Sequence, residues 1–152
     1  MLFPSAKIIL CDPNDASKVL LIKRNIKGKV SYEPAGGKLE VDFKNKCAES
    51  LEECALREAK EELGVCARID KYIGSYHFFW TIDPDKFSSC AVFVGTIISH
   101  DNNFKANADT CELSIDPAWV DVNDIINSRI SFEPSYVGLQ DIVLRYFTET
   151  HR

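Results

Sequence analysis

The stretch from Glu49 to Gly64 constrains the fold of this chain more than any other. Ser50-x-x-Glu53 matches a capping box, in which two side chains satisfy the free amide groups at the start of a helix. Gly64 is the residue type that most often ends a helix in a left-handed conformation. Apolar residues recur at helical spacing between these two signals. The sequence therefore predicts a helix over 50–63.

This predicted helix carries a concentration of negative charge. Residues 49–62 hold six glutamates against one arginine and one lysine, a net charge of −4, and the whole chain has 23 acidic and 18 basic residues, a net charge of −5. At about 100° per residue, Glu58, Glu61 and Glu62 share one helix face, which lies beside an apolar face. Glutamates at i, i+3 and i+4 repel one another, so either this face is solvated or a cation compensates it. Mg²⁺ compensates it directly, because it takes a few carboxylates and keeps water and phosphate oxygens as its other ligands.

The composition excludes several classes of protein. An excess of acidic residues argues against a protein that binds polymeric nucleic acid through its phosphates, and no apolar run approaches the roughly 20 residues of a membrane-spanning helix. The start of the chain lacks a basic segment and a cleavage site, so no signal peptide is predicted. The six cysteines form no CxxC pair and are predicted to be reduced, mostly buried thiols of a cytoplasmic protein. With no repeat and no linker, residues 1–152 are predicted to form a single domain.

The rest of the chain alternates between short apolar runs and turn formers. Strands are predicted at 6–10 and 18–23, joined as a hairpin, within 68–80, over 90–99 in the centre of a sheet, and near 119–120, with a helical turn at 122–126 and a last helix at about 135–147. Strands interleaved with helices predict an α/β protein with a mixed sheet and helices on both of its faces.

A longer pattern surrounds the acidic helix. Arg57-Glu58-Ala59-Lys60-Glu61-Glu62-Leu63-Gly64-Val65 resembles the second half of the Nudix box, REUxEExGU, in which U is apolar. Gly36-Gly37-Lys38-Leu39-Glu40 resembles the opening of that box, and Glu49 matches its first glutamate. The chain departs from the pattern once, because eleven residues separate Gly37 from Glu49 where the usual box has five. Loops absorb such insertions cheaply, so we expect intact helix chemistry but altered loop geometry and substrate access.

The resemblance to the Nudix family implies a fold and a chemistry. Its members have an αβα sandwich with a mixed sheet, and most are hydrolases, dependent on Mg²⁺ or Mn²⁺, of a nucleoside diphosphate linked to another group. Water attacks one phosphorus atom while bound cations neutralise the developing charge. By similarity, Arg57 would orient the glutamates. The metal would be held by Glu58, Glu61 and Glu62, with help from Glu49 and from a backbone carbonyl of Gly36 or Gly37.

A further carboxylate is expected from a late loop. In the family such a residue often precedes a strand that contains tryptophan, and Glu112 lies seven residues before Trp119. Glu112 is therefore the candidate for an additional metal ligand or the general base, with Asp116 as the competing residue. An ordinary loop carboxylate at position 112 is the alternative.

Substrate contacts are predicted from charges and rings near the box. Arg24 resembles an arginine that many family members place against substrate, and Lys38 would attract phosphate, although a solvated lysine is the alternative. Tyr32, Phe78 and Trp80 are candidates for stacking on a base, against the alternative that they pack in the core or on a sheet face.

The resemblance leaves the substrate open between a nucleoside triphosphate and a nucleotide sugar such as ADP-ribose. The partner is a small nucleotide, and the oligomeric state stays open, with a homodimer among the arrangements. Two other functions compete with hydrolysis. One is a catalytically silent Nudix domain that binds a nucleotide or partner as a sensor, and the other is an acidic protein-interaction helix without metal.

Overall fold

The computed structural model describes residues 2–80, 83–101 and 113–151, and only the backbone of residues 113–115. Its helices are α1 (Leu51–Leu63), α2 (Val122–Ile126) and α3 (Leu139–Thr150). None of these helices is long and apolar enough to cross a membrane. Its strands are β1 (Leu2–Asp12), β2 (Asp15–Ile26), β3 (Lys29–Glu33), β4 (Ala35–Lys38), β5 (Val41–Asp42), β6 (Cys47–Ala48), β7 (Val65–Phe79), β8 (Phe87–His100) and β9 (Leu113–Asp121).

The strands form one mixed sheet and one small hairpin. The main sheet has the order β3-β2-β1-β8-β7, with β4 also paired to β1 and β9 also paired to β2. Strand β1 runs parallel to β8, and the other pairs are antiparallel. Strand β8 therefore lies between β1 and β7, which accounts for its almost continuous apolar sequence. The central position predicted for 90–99 is confirmed.

The helices cover both faces of the main sheet, as predicted. Successive side chains of a strand point to opposite faces, so Ile8 and Leu10 pack with α1 whereas Ile9 packs with α2 and α3. This arrangement is the αβα sandwich that the Nudix resemblance implies. The residues of α1 that are buried against the sheet are mostly small, which lets the helix lie close to the strands: they are Cys54, Ala55, Ala59 and Leu63.

Helix α1 is capped as the sequence predicts. The Glu53 amide donates to Ser50 Oγ at 3.0 Å, and the Ser50 amide donates to Glu53 Oε1 at 3.2 Å. At the other end, Gly64 adopts a left-handed conformation with φ of 69°, and its amide donates to the Lys60 carbonyl at 3.0 Å. These caps fix where the helix begins and ends, and they therefore fix which of its residues share a face.

The last helix differs from the prediction at both ends, since α3 spans Leu139–Thr150 and not 135–147. Gly138 precedes it with φ of 94°, and a residue in this conformation interrupts a right-handed helix. Residues 135–137 therefore lie outside α3. Val137, which falls within the predicted helix, is 73% exposed.

Strand β9 is longer than the short strand predicted near 119–120. It extends over nine residues because it pairs with β2 along its whole length, from Lys18 opposite Asp121 to Ile26 opposite Leu113. This pairing between distant parts of the chain leaves no local sequence pattern.

Candidate active site

Arg57, on α1, lies at the centre of a network of carboxylates from that helix and from Glu49 just before it. Its Nε atom donates to Glu49 Oε2 at 3.0 Å and its Nη2 atom donates to Glu49 Oε1 at 2.7 Å. Its Nη1 atom donates to Glu58 Oε1 at 3.0 Å and to Glu61 Oε2 at 3.1 Å. The bonds from Arg57 hold the pKa of the Glu49 carboxyl below its usual range. We call Glu49, Glu58, Glu61 and Glu62 the glutamate cluster.

The segment that contains the insertion folds into a small hairpin, which we call the insertion hairpin (residues 41–48). Strands β5 and β6 pair within it. At its base, the Glu49 amide donates to the Glu40 carbonyl at 3.2 Å, and the Glu40 amide donates to Glu49 Oε1 at 2.9 Å. Because the hairpin closes on itself, the chain returns with Glu49 beside Glu40 and within reach of Arg57. The insertion therefore leaves the glutamate cluster assembled.

Strand β4 passes close to α1 at two glycines. The Gly36 amide donates to Glu62 Oε1 at 3.0 Å. A Cβ atom on Gly37 would lie 2.5 Å from Glu58 Oε1, and a Cβ atom on Gly36 would collide with the backbone of β1. Both positions therefore need glycine for reasons of space. The Gly37 carbonyl, which is a predicted backbone ligand, accepts a hydrogen bond from Cys54 Sγ at 3.5 Å.

Glu58 and Glu62 lie close enough for their carboxyl groups to form a hydrogen bond. Although Glu62 as a whole is exposed on the helix surface, neighbouring atoms shield its carboxyl group from water. This shielding and the hydrogen bond to Glu58 raise the pKa of Glu62 to about 7. Two carboxylates in a shielded place favour the protonated form of one of them, and a cation relieves the same repulsion.

The donors of the glutamate cluster fit a hard divalent cation. They are carboxylate and carbonyl oxygens, which are the ligands that Mg²⁺ and Mn²⁺ prefer. Within the described residues, no three histidine, cysteine or acidic side chains already converge on one point as a metal site. Arg57 holds Glu61 instead, and Glu62 accepts a hydrogen bond from the Gly36 amide. Binding a cation would therefore require these side chains to exchange their present partners for the ion.

A cleft of about 490 Å³ adjoins the cluster at Gly37 and Lys38, and we call it the aromatic cleft. The rings of Phe78 and Trp80 stack in it with centroids 6.4 Å apart and planes 21° apart, and Phe78 meets Tyr136 edge-on at 4.7 Å. The indole Nε1 of Trp80 donates to a buried hydroxyl, Ser88 Oγ, at 3.1 Å, which fixes its ring. The cleft thus offers ordered ring faces to a flat ligand.

Buried charges support the aromatic cleft. Arg24 Nη2 lies 2.6 Å from Glu33 Oε1, and Lys7 Nζ lies 3.7 Å from Glu33 Oε2. Lys7 Nζ also lies 4.8 Å from the centre of the Tyr136 ring. Lys7, Glu33 and Tyr136 were not among the residues predicted from the sequence. Lys7 gave one signal, since a lysine in the middle of an apolar strand must find a partner when it is buried.

The structure brings together four of the five predicted substrate contacts. Arg24, Lys38, Phe78 and Trp80 all line the aromatic cleft. Tyr32 lies apart from them, because it packs against the core beneath α2 and α3 and its amide donates to the Ser131 carbonyl.

The structure describes only one of the two candidates for the late carboxylate. Glu112 lies outside the described residues. Its competitor Asp116 lies on β9 opposite Lys23. Its Oδ2 atom is enclosed and has no hydrogen-bond partner among the residues that the structure describes. The choice between these two residues therefore stays a prediction.

Known proteins share this architecture. A NUDIX domain model matches residues 1–138. A NUDIX hydrolase from Nitrosomonas europaea has a TM-score of 0.67 at 20% identity, with 98% of this chain and 90% of that chain covered. A MutT protein from Methanosarcina mazei Go1 has a TM-score of 0.65 at 21% identity, with 99% and 96% covered. A UDP-X diphosphatase has a TM-score of 0.64 at 17% identity, with 100% of this chain but 65% of that chain covered.

At these identities the structural likeness shows the fold alone, and no curated protein sequence matches the chain. The match to the family model carries the assignment, because it covers most of the chain. The chain belongs to the Nudix family and, by that membership, is a hydrolase of pyrophosphate bonds in nucleotide derivatives.

Proposed function

We propose that this chain hydrolyses the pyrophosphate bond of a nucleoside diphosphate linked to another group, by attack of water on phosphorus with a divalent cation as cofactor. The Arg57 network is the observation that carries the proposal. The side chains of Glu49 and Glu58 are only 13% and 15% exposed, although that of Glu61 is 57% exposed, whereas a solvated or partner-binding acidic face would present all of its carboxylates to water. Enclosed carboxylates beside a cleft for a flat ligand suit catalysis on a nucleotide.

The glutamate cluster would hold the cofactor. Glu58, Glu61 and Glu62, assisted by Glu49 and the Gly37 carbonyl, would bind Mg²⁺, or Mn²⁺ in its place. When bound, the cation supplies charge neutralisation at phosphate oxygens and a lowered pKa for water. Arg57 is a positioning residue in this scheme, because its guanidinium bonds to the carboxylates of Glu49, Glu58 and Glu61. Glu112 is the candidate for the general base, with a cluster glutamate as the alternative.

The aromatic cleft would hold the nucleoside. Phe78 and Trp80 present their faces to a base, and stacking of this kind tolerates different bases because every base has a π-face. Lys38 lies where the cleft meets the cluster, so its ammonium can attract the phosphates. Arg24 is fixed by Glu33 on the other side and adds positive charge.

The cytoplasm is the proposed location. The five cysteines among the described residues are free thiols, and free thiols persist in a reducing compartment.

A panel of substrates tests the proposed function. Nucleoside triphosphates, nucleotide sugars including ADP-ribose, and dinucleoside polyphosphates are each incubated with the protein and Mg²⁺, Mn²⁺ or EDTA, and kcat/KM is measured. We expect hydrolysis of at least one substrate, and its loss in EDTA. Tight nucleotide binding without product from any substrate would instead favour a sensor, and activity that survives EDTA would contradict the role of the cation.

A further inference from the structure

A second cleft, of about 700 Å³, lies beside the first and shares Lys38 with it. We call it the hairpin cleft, because residues of the insertion hairpin form much of its lining. The start of β1 and Glu49 complete it. The hairpin cleft therefore exists because this chain carries an insertion that the usual Nudix pattern lacks.

Both clefts border the glutamate cluster. Gly37, which lies beside Glu58, lines the aromatic cleft, and Glu49 lines the hairpin cleft. Between them, Lys38 Nζ lies 4.5 Å from the centre of the Phe3 ring and 5.8 Å from that of Trp80, so its ammonium group stands at their common border. A molecule with two groups joined by a pyrophosphate can place one group in each cleft and the pyrophosphate beside Lys38.

The clefts differ in charge. Lys7, Arg24 and Lys38 line the aromatic cleft with one carboxylate, Glu133, and Glu33 behind the lining offsets part of the charge of Lys7 and Arg24. The hairpin cleft has the opposite balance, with Lys38 as its cation against the carboxylates of Glu40, Asp42 and Glu49. Arg57 offsets part of that charge, because it pairs with Glu49 and lies 3.5 Å from Glu40. Asp42, at the hairpin itself, stays unpaired with any cation in the described ion pairs. Away from the cation that Glu49 would help to hold, a further phosphate would meet Glu40 and Asp42.

The hairpin cleft also has exposed apolar surface. Phe43 is 85% exposed, and Leu2 and Val41 are exposed as well. An aromatic ring beside carboxylates suits a sugar, since carboxylates accept hydrogen bonds from hydroxyl groups while the ring packs against the C–H face of the sugar. A phosphate or a second nucleotide would bring negative charge instead.

We propose that the hairpin cleft is the subsite for the second group of the substrate, and that this group is an uncharged sugar. The substrate class is then a nucleoside diphosphate sugar, in preference to a nucleoside triphosphate. This inference rests on the proposed function, because it assumes that the bond cleaved lies at the glutamate cluster.

The test compares two substrates in the wild type, two cleft variants and one control variant. The ratio of kcat/KM for a nucleoside diphosphate hexose to kcat/KM for the matching nucleoside triphosphate is measured at fixed Mg²⁺ in the wild type, in Phe43→Ala and in Val41→Thr. We expect the wild type to favour the sugar nucleotide and Phe43→Ala to lower the ratio about tenfold, the usual scale of one lost apolar contact in a specificity pocket. Val41→Thr, which keeps the shape of the side chain, should lower the ratio less.

Since Phe43 is so exposed, its replacement should leave folding intact. Val137→Ala, at another exposed apolar residue outside both clefts, is the control and should leave the ratio unchanged.

A preference of the wild type for the triphosphate, or an unchanged ratio in Phe43→Ala, would overturn the inference while leaving the proposed function in place. If the wild type hydrolyses neither substrate, equilibrium binding decides separately. The inference then predicts that the sugar nucleotide binds more tightly than the nucleoside diphosphate without its sugar, and that Phe43→Ala removes this difference. Equal binding of the two ligands by the wild type would contradict it.

Discussion

The glutamate cluster and the aromatic cleft adjoin each other but are assembled in different ways. The cluster takes Glu58, Glu61 and Glu62 from consecutive turns of one helix, and Arg57 of the same helix fixes Glu49 beside them. The cleft collects side chains from β1, β2, β4, β7 and the segment before α3. The cluster therefore depends on local helix geometry and charge, and the cleft depends on packing between distant segments.

This difference separates chemistry from recognition. Groups that act on the pyrophosphate serve every substrate of the class, so changes to them should alter kcat by a similar factor for all substrates. Groups that touch the nucleoside contribute to binding in the ground state and the transition state alike, so changes to them should alter KM. Substitutions in each region therefore test this division between chemistry and recognition.

Removal of two cluster charges should have the greatest effect. Glu61→Gln combined with Glu62→Gln should lower kcat about 10³-fold or more, because a divalent cation that stabilises the transition state contributes several kcal/mol. The Tm should stay the same or rise, since repulsion between neighbouring glutamates falls. Steady-state kinetics and thermal unfolding measure both effects.

The matched control for this double variant is Glu52→Gln, at an exposed glutamate on the same helix outside the cluster. It should retain full activity. A double variant that is stabilised and remains active would instead support an acidic helix without catalytic chemistry.

Replacement of the late carboxylate should have the next largest effect on kcat. If Glu112 is the general base, Glu112→Gln should lower kcat about 10²-fold or more and leave substrate affinity almost intact. Asp116→Asn, measured in parallel, distinguishes the competing residue. A loss of less than about threefold in Glu112→Gln would be too small for a general base and would assign the role elsewhere.

Replacement of Arg57 by lysine tests whether the geometry of its side chain matters to the cluster, and not only its charge. Arg57→Lys keeps the positive charge but cannot form the two-pronged bond to Glu49 or reach the other carboxylates at the same time. We expect kcat to fall roughly 10- to 100-fold, the usual effect of removing a residue that orients metal ligands, with KM nearly constant. Arg68→Lys, at an exposed arginine paired with Asp70, is the control and should not change kcat. A rise in KM for Arg57→Lys at unchanged kcat would show that Arg57 contacts substrate directly.

The sequence predicted the cluster far better than the cleft, for the same reason that the two differ in assembly. Ser50 and Gly64 mark the ends of α1, so helical periodicity alone places Glu58, Glu61 and Glu62 on one face. The partnership of Lys7 with Glu33 depends on the position of β2 between β1 and β3, and no local pattern records such pairing.

The insertion and the last helix show the same limit. A spacing of eleven residues signals extra chain, but only the hydrogen bonds between Glu40 and Glu49 show that it closes as a hairpin. At the last helix, the prediction began at about residue 135, whereas α3 begins at Leu139, directly after the left-handed Gly138. A glycine can occupy either a helix or a turn, so its presence alone did not decide where the helix begins.

The smallest effect should come from the aromatic cleft. Trp80→Ala removes a ring that is stacked on Phe78 and anchored to Ser88. Stacking of a base on an aromatic side chain contributes about 1–3 kcal/mol, so we expect KM to rise about tenfold while kcat changes little. Tyr72→Ala is the control, because Tyr72 is an exposed ring on β7, the strand that precedes Trp80, and does not line the cleft. If Trp80→Ala lowered kcat as strongly as Arg57→Lys does, the cleft would be part of the catalytic machinery and the division between the two regions would fail. A selective rise in KM would show that the sheet and the helix supply recognition and chemistry as separate contributions.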